Sequence, residues 1–230
     1  GTFTSYSLAH GCLEDLRGDR YPTAMFGWTG DALELEATGT HFGYVYSGPA
    51  SLDCELGTFT LSAGMYFAVP GKLTIADGSG LVISRLGYRG FFHLGGPVEN
   101  EGRLRYIDGC TDSLLIPPVI RGDPCLNLLH LPAHTRQTRH THPSIRVGLI
   151  ICGSGFCETP EERIPLAPGQ AFVIRAGGPH SFHTDESSLL VLAYHPDSDF
   201  GPTHENHPMV NRTIIERSLA TVRTSPRTTS

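Results

Sequence analysis

Lysine is nearly missing from this chain of 230 residues: of 17 basic side chains, 16 are Arg and one is Lys72. With 23 acidic residues the net charge is −6, and no basic stripe exists, so nucleic acid is not an expected partner. No apolar run approaches the roughly 18–20 residues a membrane helix needs, so no membrane partner is expected. The six cysteines (Cys12, Cys54, Cys110, Cys125, Cys152, Cys157) include no C-x-x-C pair, which excludes zinc-finger spacing. They are too sparse for a disulfide framework and are expected as reduced thiols of a cytoplasmic protein. Cys152 and Cys157, flanking a Gly-Ser-Gly turn, read as small apolar fillers. Gly1 is followed by neither a basic stretch nor the apolar run of a secretory leader, and a trimmed leader before it stays open. Nucleophile elbows, phosphate-cradling loops and dinucleotide fingerprints are missing as well.

What is present is glycine and proline, 44 of 230 residues, against 39% hydrophobic and 17% charged. That composition leaves little room for long helices and predicts many short strands joined by turns. A repeat emerges at an offset of 105 residues. Leu61-Ser-Ala-Gly64-Met-Tyr-Phe67-Ala-Val69 aligns with Leu166-Ala-Pro-Gly169-Gln-Ala-Phe172-Val-Ile174, and Tyr44–Gly48 aligns with Leu149–Gly153. An apolar strand follows each block, at Leu81-Val82-Ile83 and at Leu189-Leu190-Val191-Leu192. The prediction is a tandem all-β protein of two units, 1–105 and 106–212, with a polar link near Glu99–Arg105 and a Ser/Thr/Arg-rich tail over 213–230.

The histidines are distributed unevenly, nine of the 12 lying from His130 onward. In His140-Thr-His142, alternation along a strand puts both imidazoles on one face, where they can share a metal. His180 follows the Gly169 strand in Gly177-Gly-Pro-His180-Ser-Phe-His183, whose turn brings the chain back to the same layer. Arg146 keeps the parity of His140 and His142 and is also expected to point inward. As a permanent cation it cannot be a metal ligand. It either captures an acid group of a small anionic substrate or pairs with a buried acid, Glu158, Glu161 or Glu162.

These residues carry a resemblance to the cupin superfamily (RmlC-like), in its two-domain, bicupin form. The first cupin motif, G-x5-H-x-H-x3,4-E-x6-G, falls on His134, His140, His142, Arg146 and Gly153. The second, G-x5-P-x-G-x2-H-x3-N, falls on Gly169, Arg175, Gly177, His180 and Thr184. The resemblance implies two tandem cupin barrels (double-stranded β-helix, jelly-roll-like), the second holding one divalent metal ion. It departs from the family where Arg146 replaces a glutamate ligand. The implied ligands are then His140, His142 and His180, as in some iron-dependent dioxygenases of the superfamily. Fe2+ is the first expectation, with Zn2+, Mn2+ or Ni2+ as alternatives. In the first half Leu35 and Ala37 stand for the two histidines, His41 for the glutamate and Ile75 for the third histidine. That unit is therefore expected to be a packed, metal-free core.

Three functions follow from different classes: a mononuclear metal enzyme with Arg146 as its substrate-orienting residue, a non-catalytic ligand-binding or sensor cupin, and a metal-free isomerase or epimerase. His183, His134 and the polar loop 194–209 are further candidates near the site, and the family resemblance implies a homodimer.

Overall fold

A computed structural model of the protein describes residues 1–198. The tail 213–230 lies outside the described residues, as does the loop 194–209 beyond residue 198. The described chain contains strands and one 3-10 turn at Ile107–Gly109, but no α-helix. The first half forms β1 (Phe3–Ser7), β2 (Gly11–Leu16), β3 (Thr23–Thr29), β4 (Leu33–Leu35), β5 (Gly39–Ser47), β6 (Ala50–Cys54), β7 (Gly57–Leu61), β8 (Tyr66–Pro70), β9 (Leu73–Ala76), β10 (Ser79–Leu86) and β11 (His93–Gly95). The second half forms β12 (Leu104–Arg105), β13 (Thr111–Ile116), β14 (Cys125–Leu131), β15 (Arg146–Gly153), β16 (Gly155–Glu158), β17 (Arg163–Leu166), β18 (Gln170–Ile174), β19 (Ser181–His183) and β20 (Leu189–His195).

The 105-residue repeat reappears as topology. One large sheet runs β11-β8-β5-β10-β3-β2 and the other β1-β18-β15-β20-β14-β13-β12, with every pairing antiparallel. Each faces a smaller sheet, β4-β9-β6-β7 in the first half and β17-β16-β19 in the second. No sheet among the described residues closes on itself; each half is a two-sheet sandwich of the jelly-roll kind rather than a closed barrel. The edge place that β11 holds in the first half is taken in the second by β1, which reaches across to pair with β18, Phe3 opposite Ile174. β12, at the expected link, also joins the second sheet, through β13.

Three cores explain why the middle strands are apolar on both faces. Trp28, Val45, Leu52, Phe67, Leu73 and Val82 fill the first sandwich. Leu129, Ile150, Leu166, Phe172, Phe182 and Val191 fill the second. The neighbours in sequence, Phe42, Tyr44, Leu81, Ile83, Val147, Leu149, Leu192 and Tyr194, meet between the two large sheets. Burial on both faces replaces the apolar–polar alternation of a half-exposed strand with an apolar run such as Leu189–Leu192. The two halves therefore stack through their large sheets.

Glycine marks the repeat in two ways. Gly64 and Gly169, at the turns before β8 and β18, have φ of +86° and +78°, a region that side chains with a Cβ enter at a cost. Gly43 and Gly148, 105 apart, leave room for an aromatic ring from the next strand. A Cβ on Gly43 would stand 2.0 Å from Cζ of Phe67, and one on Gly148 2.2 Å from the backbone oxygen of Leu192 and 2.4 Å from Cζ of Phe172. Gly148→Ala is therefore expected to destabilise the chain by about 1–3 kcal/mol through overpacking, read from the denaturant midpoint. An unchanged midpoint would show that both the Phe172 ring and the β20 backbone at Leu192 give way freely.

Candidate metal centre and its cavity

The segment between β14 and β15 forms no named strand, against the expectation of one through His140 and His142. Pro143 and the polar residues around it do not extend the ladder. Backbone bonds fix the segment instead. His140 and His180 exchange both N–H···O bonds at 3.0 Å, Gln137 N donates to Phe182 O at 3.3 Å, and Gly177 N donates to His142 O at 2.7 Å. The 3-10 turn adds an anchor, Asp108 Oδ2 accepting from Thr138 N at 2.7 Å.

This framework brings the three sequence-predicted histidines together. The rings of His140, His142 and His180 lie 4.6–5.2 Å apart, and one nitrogen from each falls within 4.8 Å of the others. His140 Nδ1 lies 2.8 Å from Thr138 O, and His180 Nδ1 lies 2.9 Å from Gly178 O. A carbonyl can only accept, so both Nδ1 atoms carry the proton and both Nε2 lone pairs are free. Backbone carbonyls orienting imidazoles in this way are the usual support of metal-ligating histidines. Burial, then Arg146 and the neighbouring imidazoles, lower His142 to about 3. His180 is lowered to about 4, chiefly by burial and against the bond to Gly178. Both are neutral at neutral pH, the form in which imidazole binds a metal. The donor set fits one borderline divalent ion.

Arg146 faces the same interior from the start of β15, as expected although no continuous strand links it to His140 and His142, and is 6% exposed. Its Nη1 donates to Ser144 Oγ at 2.8 Å and to Ile145 O at 2.9 Å, and Ser144 Oγ donates on to Asp197. The acids expected as alternative partners lie elsewhere: Glu158 binds Arg139 at 2.9 Å, and Glu161 and Glu162 are exposed. A cavity of about 380 Å³ is lined by the three histidines, Arg146 and apolar side chains including Leu129, Phe172, Ile174 and Phe182.

Other candidates fall outside it. On β19, His180 and Phe182 share the inner face while Ser181 and His183 share the other. His183 accordingly stacks on Phe156 at 4.9 Å and bonds Ser181 Oγ at 2.8 Å. His134, at a signature glycine position, keeps the glycine-like backbone (φ 62°) and sits exposed beside Glu186. Arg175, at the signature proline, pairs with Glu14 of the first half at 2.9 Å. All six cysteines are free thiols, and Cys157 is a core filler as expected. Cys152, expected as a filler too, is instead exposed, beyond a register shift between Ile150 and Cys152 that breaks the strand alternation there.

In the first half the register corrects one equivalence. Ser51 pairs with Ala76 where its counterpart Phe156 pairs with His183, so the turn into β19 is two residues longer than the turn into β9. The counterpart of His180 is thus Leu73, opposite Leu35, and not Ile75. Leu73 and Leu35 are core residues. His41 bonds Ser84 Oγ at 2.6 Å and Glu36 O at 3.0 Å, as a satisfied buried histidine.

The sequence reading missed three polar cavity residues, Asp112, Asn127 and Gln137, and held His195 only as part of the candidate loop 194–209. His195 ends β20 with its ring 6.4 Å from that of His142, and burial holds its pKa well below the usual histidine value. The alternation Leu189, Val191, Ala193, His195 announces it once the strand is run three residues past Leu192. Leu104 and Arg105 of the expected link, and Tyr106 just after it, also line the cavity.

Residues 121–205 match the family model described as an AraC-like ligand binding domain. No curated protein matches the chain. Among solved structures, the chain is similar to a cupin 2 conserved barrel domain protein from Leptotrichia buccalis (13% identity, 85% of this chain and 89% of that one, TM-score 0.57). The protein Ylba from E. coli is 19% identical over 88% of this chain and 85% of its own, with TM-score 0.59. Salicylate 1,2-dioxygenase from Pseudoaminobacter salicylatoxidans, solved as adducts with gentisate, is 12% identical over 84% and 73%, with TM-score 0.58. At these identities the likeness is one of architecture: the chain has the all-β cupin fold.

Proposed function

We propose that this chain is a metal-binding bicupin, with cupin units in 1–105 and 106–212, and that it works as a mononuclear metal enzyme of dioxygenase type on a small anionic molecule. The supporting observation is the convergence of three imidazoles, with His142 and His180 neutral and with Nδ1 of His140 and His180 committed to backbone carbonyls, on a cavity that also contains Arg146. His140, His142 and His180 would hold the ion, Fe2+ first among the candidates. When bound, it would supply Lewis-acid or one-electron chemistry to a molecule in the cavity. Arg146, its guanidinium held by Ser144 and Ile145, binds the acid group and sets its direction. Phe172, Phe182 and Leu129 exclude water around the rest of the molecule. The salicylate dioxygenase neighbour, solved with the aromatic acid gentisate, supports this substrate class. A cytoplasmic homodimer belongs to the same proposal, on the strength of the free thiols and the cupin resemblance.

A second reading, a ligand-binding sensor without turnover, is favoured by the AraC-like ligand-binding match, which spans β14 to β20. Gentisate added in air to the Fe(II)-loaded chain separates the two. Oxygen uptake, lowered at least about tenfold in Arg146→Ala with metal content unchanged, is the expected result for the enzyme. Binding without oxygen uptake would assign the sensor role.

A further inference from the structure

The strand β14 reads Cys125-Leu-Asn127-Leu-Leu-His-Leu131, an apolar run with an amide at one inward position. Leu129 and Leu131, on the same face, belong to the core of the second sandwich. Asn127 is 5% exposed and lines the cavity. Its Nδ2 donates to Asp112 Oδ1 at 2.8 Å, and that bond fixes which way the amide points. The other end, Oδ1, is buried and has no hydrogen-bond partner among the described residues. Buried acceptors are nearly always satisfied, so this one on a cavity wall takes its donor from what occupies the cavity, a water or a group of a bound ligand.

Register locates this acceptor relative to the anchoring cation. Asn127 pairs with Ala193 on β20, and Ala193 pairs with Gly148 on β15. Arg146 lies on the same face two residues along from Gly148. At the usual strand spacing and rise, the Cα atoms of Asn127 and Arg146 are about 12 Å apart. Both residues line the one cavity, and that separation leaves room between their polar groups for a small ring or a short chain. The small side chain of Ala193, beside Asn127, also lines the cavity.

We propose that Asn127 determines ligand specificity: its Oδ1 accepts a hydrogen bond from a hydroxyl or amino group at the far end of an acid held by Arg146. The preferred ligands are then small acids with an apolar body and one such donor, not plain carboxylates. This inference rests on the acid-anchoring reading above and names the second group that the ligand must carry. Asp112 acts through the amide, as the positioning residue that keeps Oδ1 turned to the cavity.

The test is titration calorimetry on the full chain loaded with Zn(II), using benzoate, its 2-, 3- and 4-hydroxy isomers, and the matching methoxy compounds. At least one hydroxybenzoate is expected to bind about tenfold or more tightly than benzoate, with no gain for its methoxy analogue. In Asn127→Leu that ratio falls to near one while benzoate binding stays. Benzoate binding with no advantage for any hydroxyl in the wild type overturns the role of Asn127 and leaves the anchoring reading standing; this comparison needs no variant. An advantage that survives in Asn127→Leu overturns it too. No binding by any of these acids overturns the anchoring reading, and this inference with it.

Discussion

Freshly purified protein is expected to contain about one divalent metal ion per chain, and His140→Ala and His180→Ala to contain less than about a tenth of that. Each histidine supplies a free Nε2 lone pair that no other side chain replaces. Mutations of outer partners alone typically cost 10–100-fold in metal affinity, so loss of a ligand costs at least about 100-fold. His183→Ala is the control, since its ring stacks on Phe156 on the far face of β19. It should retain the metal. Elemental analysis with a thermal melt of each variant decides the matter: equal metal in folded wild type and both alanine variants, or none in any of them, would remove the metal centre. The histidines would then be left to acid–base or structural roles.

The second large effect concerns the stacking of the halves. Tyr194 is fully buried between the large sheets, its ring 5.3 Å from that of Phe42. Tyr194→Ala is expected to destabilise the chain by about 3–5 kcal/mol, lowering the melting temperature by roughly 6–20 °C. Because the same core takes side chains from both halves, and β1 is built into the second sheet, one transition should move as a whole. Two transitions, only the later shifted, would show halves that unfold independently.

Much of this was legible in the chain because it depends on local rules. The 105-residue repeat became matching strand orders, since the same spacing of turns and apolar residues folds the same way twice. Arg146 points inward through the alternation of β15 itself, on the side of Gly148 and Ile150, since no strand connects it to His140 and His142. His140 and His142 converge as expected, although no regular strand holds them; the backbone bridge to His180 and the bonds of Gln137, Thr138 and His142 hold them instead. Composition and motif spacing did not reveal the Asn127 acceptor, because an amide in an apolar strand acquires its meaning only from the strands beside it. The equivalence of His180 with Leu73 was hidden by a turn two residues longer, which shifts the alignment without disturbing the strand that precedes it.

What the sequence determined by itself was therefore the all-β class, the spacing of the 105-residue repeat and which three histidines come together. Each follows from composition or from the spacing of turns and apolar residues. The tertiary structure alone decided that β1 crosses to the other sheet and that the two large sheets share a core. It also decided that His183 faces away while His195 and Asn127 face in. Those outcomes depend on which distant strands become neighbours. Such pairings are selected by the burial of both faces at once, and no local pattern records that choice.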